Sequence, residues 1–218
     1  MFLAVGSPAD AAGLGGVRVG ERTVVFDHRG ASMGERTASH EADLARPNRD
    51  RLLAPNEQVF GRDGQAVFAQ YRGIAFPGLE AEARDELAWR GLLLRTPWAF
   101  ADSSAYAVGA REELLWDDRP MSRFRIARRT TGNEVGDRYE LWCEPGSSEP
   151  RVLVILPADP AARACRVRFL EFTPIGNVRL AMRWVVEAAD GARRLEVELS
   201  DLRTSQAFAP RHFAPPPR

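Results

Sequence analysis

Between Val178 and Val186 the residues Val178, Leu180, Met182, Trp184 and Val186 fall on one side of an extended chain, while Arg179, Arg183 and then Glu187 fall on the other. Successive side chains of a strand point to opposite faces, so this period of two specifies a strand with one apolar and one polar face. Asp190-Gly191 then offers a turn, after which Leu195, Val197 and Leu199 alternate with Arg194, Glu196, Glu198 and Ser200. Two such strands joined tightly make an antiparallel hairpin that is wet on one side only. Whatever this chain builds, it must cover the other face.

The same punctuation recurs upstream. Segments 22–28, 35–46, 49–54 and 57–61 read as short strands separated by Arg29-Gly30, Pro47-Asn48 and Pro55-Asn56. Asp63-Gly64 before 65–71 predicts a hairpin with a type I′ turn, which needs positive φ at both central residues. Further on, 111–116 and 121–128 flank Asp117-Asp118-Arg119-Pro120, the composition of a type I turn. Strands 138–143, 152–156 and 165–172 form an expected up-down-up meander. It places Cys143 and Cys165 at opposite ends, beyond the roughly 7 Å between Cα atoms that a disulfide spans. The reading gives about ten or eleven strands.

One helix interrupts them. From Leu79 the apolar residues recur as Leu79, Ala83, Leu87 and Leu94, widened by Trp89, Leu92 and Leu93, with acidic residues early and arginines late. Thr96-Pro97-Trp98 ends a helical insert over 79–95. Residues 1–16 read as a loosely ordered lead-in, 17–213 as a single domain and 214–218 as a proline-rich tail. An antiparallel sheet of this size curls, and its apolar concave face must close, pack on another sheet or be plugged. The helix is the available plug, and a barrel left incomplete around it would hold a hydrophobic ligand in an apolar groove.

Composition excludes much of the alternative chemistry. All thirty basic residues are arginine, so no phosphate-loop lysine, Schiff-base lysine or Ser-Lys dyad is possible. Thirty acidic residues balance them, and no basic block marks a nucleic-acid surface. Asp27-His28 and His40-Glu41 are adjacent pairs on strands, so each supplies one ligand at most to a given side; they read as solvent-face residues rather than a metal site. Glu112-Glu113 and Asp117-Asp118 read as strand edge and turn, Ser103-Ser104 and Ser147-Ser148 as loops without a neighbouring histidine, and Cys143 as an inert buried thiol. No catalytic residue, cofactor or metal is expected. The longest aliphatic run, Val152 to Leu156, is far short of the ~20 residues of a membrane-spanning helix. The opening Met-Phe-Leu-Ala-Val-Gly-Ser-Pro lacks the basic region of an intact signal peptide, which leaves a cytoplasmic placement open. Arginines that alternate with apolar residues read as the wet face of the sheet.

Several segments carry a resemblance. Ala42-Asp43-Leu44-Ala45-Arg46-Pro47-Asn48-Arg49-Asp50-Arg51, then Pro55-Asn56-Glu57-Gln58-Val59-Phe60 and Asp63-Gly64 with Phe68 downstream, resemble the early strands of the periplasmic lipoprotein carrier family LolA. Thr96-Pro97-Trp98 and the ending from Glu198 to Pro216, with its Phe-x-x-Pro, are similar to later parts of that family. The resemblance implies a mainly β, LolA-like fold: an unclosed antiparallel barrel with a helical plug, placed in the periplasm or cell envelope. It also implies that Arg46 latches the helical lid, where a guanidinium's fixed fork of donors suits backbone carbonyls.

The function expected on these grounds is non-enzymatic binding of an acyl chain, lipid or lipidated protein, for envelope transport or sensing. Leu79, Leu87, Trp98, Leu180, Met182 and Trp184 are the candidate groove residues. An envelope protein is expected as a further partner. Two other classes stay open: a cofactor-independent enzyme acting on a small aromatic substrate, marked by carboxylate, histidine and arginine converging on the concave face, and a module that binds protein at a sheet edge.

Overall fold

The computed structural model describes residues 8–46, 48–96, 98–131, 135–147, 149–205, 208–209 and 211–215. Residues 1–7 and 216–218, with Pro47, Pro97 and Ser148 of the motifs above, lie outside them. Pro8–Gly13 of the lead-in form a short helix, α1, whose Ala11 is buried.

Thirteen strands follow among the described residues. They are β1 (Gly16–Phe26), β2 (Ser32–Asp43), β3 (Arg49–Leu53), β4 (Gln58–Asp63), β5 (Ala66–Tyr71), β6 (Ile74–Ala75), β7 (Tyr106–Trp116), β8 (Arg119–Arg128), β9 (Arg138–Cys143), β10 (Pro150–Leu156), β11 (Cys165–Ile175), β12 (Val178–Ala188) and β13 (Arg193–Ser205). The sheet order is β6-β5-β4-β3-β2-β1-β13-β12-β11-β10-β9-β8-β7, so β6 and β7 are its two edges and the sheet is unclosed. The pairings of β2 through β6 and of β7 through β12 are antiparallel, as the period-two pattern requires. The count exceeds ten or eleven partly because two-residue β6, behind the Arg72-Gly73 turn, is too short to show a period.

Two turns differ from expectation. Asp117 and Asp118 both have positive φ, 48° and 57°, between the paired Trp116 and Arg119; this is a type I′ turn, not type I. Aspartate reaches that region more readily than most residues because its short polar side chain bonds locally. At the β4–β5 turn, between the paired Asp63 and Ala66, only Gly64 has positive φ, at 64°, so the turn does not take the type I′ form.

Two compact units divide the chain. One gathers Pro8–Thr23, Arg36–Arg95 and Glu198–Arg218; the other contains Val24–Glu35 and Thr96–Val197. In the first, helix α2 (Glu80–Arg95) follows a 3-10 turn over Pro77–Leu79 and packs on β3, β4 and β5. Glu80 and Glu82 open it and Arg95 closes it, the order that the helix dipole favours. Ala83 and Leu87, four apart on one stripe, join Leu52, Phe60 and Ala69 in a core against which Ala38, Val67 and Leu79 rest. In the second unit, β7 to β12 bury Met121, Ile126, Leu141, Leu153, Leu180 and Trp184. There Phe100, Tyr106 and Tyr139 form an aromatic trio with centroids 5.1 to 6.0 Å apart. The β9–β10–β11 meander is as expected: Cys143 pairs at Pro150 and Cys165 opposite Ile155, at the two ends of β10.

Candidate functional site

The register of β2, β3 and β4 sets Ala42 opposite Asp50 opposite Arg62, and His40 opposite Leu52 opposite Phe60. Asp50 and Leu52 share a strand face, as do Phe60 and Arg62. Charged residues therefore lie in phase with the apolar surface that α2 covers. Asp50 is fully buried and His40 is 2% exposed. The carboxylate receives Arg62 Nη2 at 2.5 Å on Oδ2 and pairs with Arg95 Nη1 at 2.9 Å from Oδ1; His40 Nε2 stands 3.5 Å from the same oxygen. Burial alone would raise the carboxyl's pKa, but the Arg95 charge, with His40 and Arg62, overrides it and holds Asp50 well below the usual carboxylate range.

The same guanidinium groups tie the helix to the sheet backbone. Arg95 donates from Nη2 to the carbonyls of Asp43 at 2.9 Å and Arg49 at 3.4 Å, and from Nη1 to Gly91 at 3.2 Å. In the opposite direction, Arg62 on β4 donates to the Leu87 carbonyl at 3.4 Å. Gly91 makes this approach possible: a Cβ there would stand 2.8 Å from Arg95 Nη1, 3.0 Å from Arg62 Nη2 and 3.2 Å from Asp50 Oδ2. Arg46 lies exposed beyond β2, its backbone N–H donating to Asp43 Oδ1 at 3.1 Å. Arg62 from the sheet and Arg95 from the helix thus make the bonds between α2 and the sheet around Asp50.

A second bridge crosses farther along α2. Arg90 Nε donates to both oxygens of Glu21 at 2.9 and 3.1 Å, Thr23 donates its hydroxyl to Glu21 at 2.9 Å, and Arg90 also pairs with Glu86. Burial lowers the pKa of Arg90, and Glu21 offsets part of that. Here a cleft of about 100 Å³ opens, lined by Glu21, Thr23, Arg36, Thr37, Ala38, Leu52, Ala54, Gln58, Phe60, Glu82, Glu86 and Arg90. On the other face of β2, Glu41 is 1% exposed and bonds to His212 Nε2 at 2.7 Å, with Arg18 and Arg51 alongside. His40 and Glu41 are therefore not solvent-face residues: His40 stands against Asp50, which Arg95 of α2 reaches, and Glu41 meets His212. The signal for the first was present in the sequence: His40, Asp50 and Arg62 sit at positions where the alternation asks for apolar side chains.

Of the expected groove residues, Leu87 is fully buried on the sheet-facing side of α2 and Leu79 is half-buried against the same core. Trp98, Leu180 and Trp184 are buried in the other unit, with Met182 half-buried between the last two on β12. The Trp184 indole N–H is buried without an acceptor among the described residues. That unit also has an open trough of about 580 Å³ whose lining includes Val108, Ile126, Tyr139 and Leu156 with Arg125, Arg138 and Glu140.

The carboxylate, histidine and arginine that would mark an acid-base centre do converge at Asp50. Yet the group is sealed from substrate, and its carboxylate is already committed to two guanidinium groups. Among the described residues no three His, Cys, Asp or Glu side chains are grouped to hold a metal. Burial pushes the Cys143 thiol up to about 12, far from a nucleophilic thiolate at neutral pH. What the geometry offers is a helix held over an apolar sheet by discrete ionic and backbone bonds.

No protein-family model matches the chain, and no curated protein matches it in sequence. Solved structures do. A domain described as an outer membrane lipoprotein-sorting protein from Vibrio parahaemolyticus matches with a TM-score of 0.61 at 13% identity, covering 94% of this chain and 92% of that one. A LolA superfamily protein from Nitrosomonas europaea gives 0.58 at 14% identity over 92% and 89% of the two chains. A DUF1329 family protein from Desulfovibrio piger gives 0.56 at 10% over 94% and 92%. At these identities the likeness is one of fold, and the chain has the mainly β, unclosed, LolA-like fold.

Proposed function

We propose that this protein binds an acyl chain, a lipid or a lipidated segment of another protein without covalent chemistry, in the cell envelope, with α2 as a lid. The observation that carries this reading is how α2 is held. The apolar contact around Leu87 is small, and guanidinium bonds from Arg62, Arg90 and Arg95 complete the hold on the helix. Lifting the helix uncovers Leu52, Phe60 and Ala69, and an acyl chain laid there regains about 25 cal/mol for each Å² of apolar surface it buries. The fold shared with lipoprotein-sorting and LolA superfamily structures supports the same reading. Leu180, Met182 and Trp184, within the other unit, are proposed as a separate ligand contact on β12, where the indole N–H of Trp184 is a donor for a carbonyl or carboxylate. Arg46 is proposed to steady the turn whose Asp43 carbonyl Arg95 grips.

Two measurements test this. Mass spectrometry of an organic extract of the purified protein should find lipid, and a fluorescent fatty-acid probe should bind the stripped protein. Leu87→Glu and Met182→Glu should weaken the probe, with circular dichroism confirming that each variant is folded. Because Leu87 is fully buried, half-buried Met182 is the safer of the two. Absence of both co-purifying lipid and probe binding would sink the reading.

A further inference from the structure

The cleft beside α2 holds five charged groups, and they are unequally engaged. Glu21 is gripped by Arg90 through both oxygens and by the Thr23 hydroxyl. Glu86 takes Arg90 and, at 3.3 Å, the indole N–H of Trp89. Glu82 and Arg36 line the same cleft, are exposed, and make no ion pair or hydrogen bond among the described residues. The same lining includes the apolar Ala38, Leu52, Ala54 and Phe60.

Each simple ligand meets an objection there. A purely anionic amphiphile satisfies Arg36 but faces three carboxylates, Glu21, Glu82 and Glu86. A purely cationic one satisfies Glu82 but faces Arg36 and Arg90. Arg36 already repels Arg90, adding to the burial that lowers the latter's pKa, so an anion at Arg36 relieves an existing strain. A molecule carrying both charges meets neither objection, and a short head group suits a space of about 100 Å³.

We propose that this cleft takes the head of a zwitterionic amphiphile, its ammonium at Glu82 and its phosphate or carboxylate at Arg36, with the start of its apolar body against Ala38, Leu52 and Phe60. The inference rests on the carriage reading and names the head group of the ligand carried. Two sources share this chemistry: an aminophospholipid and a free apolar α-amino acid. Thr37 and Gln58, which also line the cleft, add neutral hydrogen-bonding groups.

Isothermal titration calorimetry with dihexanoylphosphatidylethanolamine, dihexanoylphosphatidylglycerol and leucine tests it, on the wild type, Glu82→Gln and Arg36→Gln. Both substitutions are at exposed positions that hold no partner, so the fold is not at risk. The ethanolamine lipid should bind about fivefold more tightly than the glycerol lipid, the worth of one partly exposed ion pair. Glu82→Gln should erase that preference, and Arg36→Gln should weaken both lipids. Leucine binding without either lipid would overturn the assignment of the cleft to a lipid head group and leave carriage standing on the fatty-acid probe. Equal affinity for the two lipids, or a preference that survives Glu82→Gln, would overturn the zwitterion site and leave carriage standing on the fatty-acid probe. Binding of none of the three would overturn the site outright.

Discussion

Replacing Asp50 by asparagine keeps the shape and removes the charge that two buried guanidinium groups share. Arg62 and Arg95 are then left in a dry interface without a counter-ion, a situation that costs about 3–5 kcal/mol. The pH dependence has a definite sign. The folded pKa of Asp50 lies below its unfolded value of about 3.9, so its stabilisation is fully present above that value and fades as pH falls towards the folded pKa. Urea midpoints of wild type and Asp50→Asn should differ by a constant amount above about pH 5 and converge below about pH 4. Gly91 makes a sharper case, since helix propensity favours alanine there by about 1 kcal/mol. Because Arg95 is tied to three carbonyls and to Asp50, it cannot swing away from the new methyl group. Gly91→Ala should therefore destabilise the protein, by about 1–3 kcal/mol in urea unfolding; a more stable variant would show that the cluster yields freely.

At the scale of elements, the β4–β5 hairpin shows glycine used for packing rather than for a turn. Gly61 pairs with Phe68, and a Cβ at 61 would lie 2.0 Å from Phe68 Cζ. The ring covers the strand backbone where a side chain would stand, replacing contacts that a glycine forfeits in a sheet. Gly61→Ala should cost about 1–3 kcal/mol, and adding Phe68→Leu should cost less than the sum of the two single changes. A double-mutant cycle on thermal unfolding measures that coupling, and strict additivity would refute it. Elements of this kind were legible from the sequence because both their signals are local. The helix over 79–95 showed in its 3.6-residue recurrence, and the paired strands showed in their period of two. Turn types were less legible, since Asp117-Asp118 can follow either hand and the choice is set by the twist of β7 and β8.

Across the whole molecule, sequence reasoning found the fold and misjudged where its charges go. The alternation rule sorts residues by face but is silent on which faces are covered, and near the end of β2 both His40 and Glu41 are buried by residues remote in sequence. Glu41 meets His212 and Asp50 meets Arg95 only once the chain has folded back on itself. Absence of lysine takes on a structural meaning in this light. Glu21, Glu41 and Asp50 are all nearly sealed from water, and each is met by at least one guanidinium group. A planar fork bonds two carboxylate oxygens, or a carboxylate and a carbonyl, where an ammonium supplies a point charge; conversion of Arg90 or Arg95 to lysine is not conservative here.

The strand order has one more consequence, for biosynthesis. β1 neighbours β13, whereas every other adjacent pair of strands is consecutive along the chain. Two meanders, β1 to β6 and β7 to β13, can thus zip up from nearby partners as they leave the ribosome. The single ladder that joins them waits for the last strand to be made, so the chain spends its synthesis with the edge of β1 unpaired. That edge is the place where premature release or a stalled ribosome would leave the protein open to strand exchange with its neighbours.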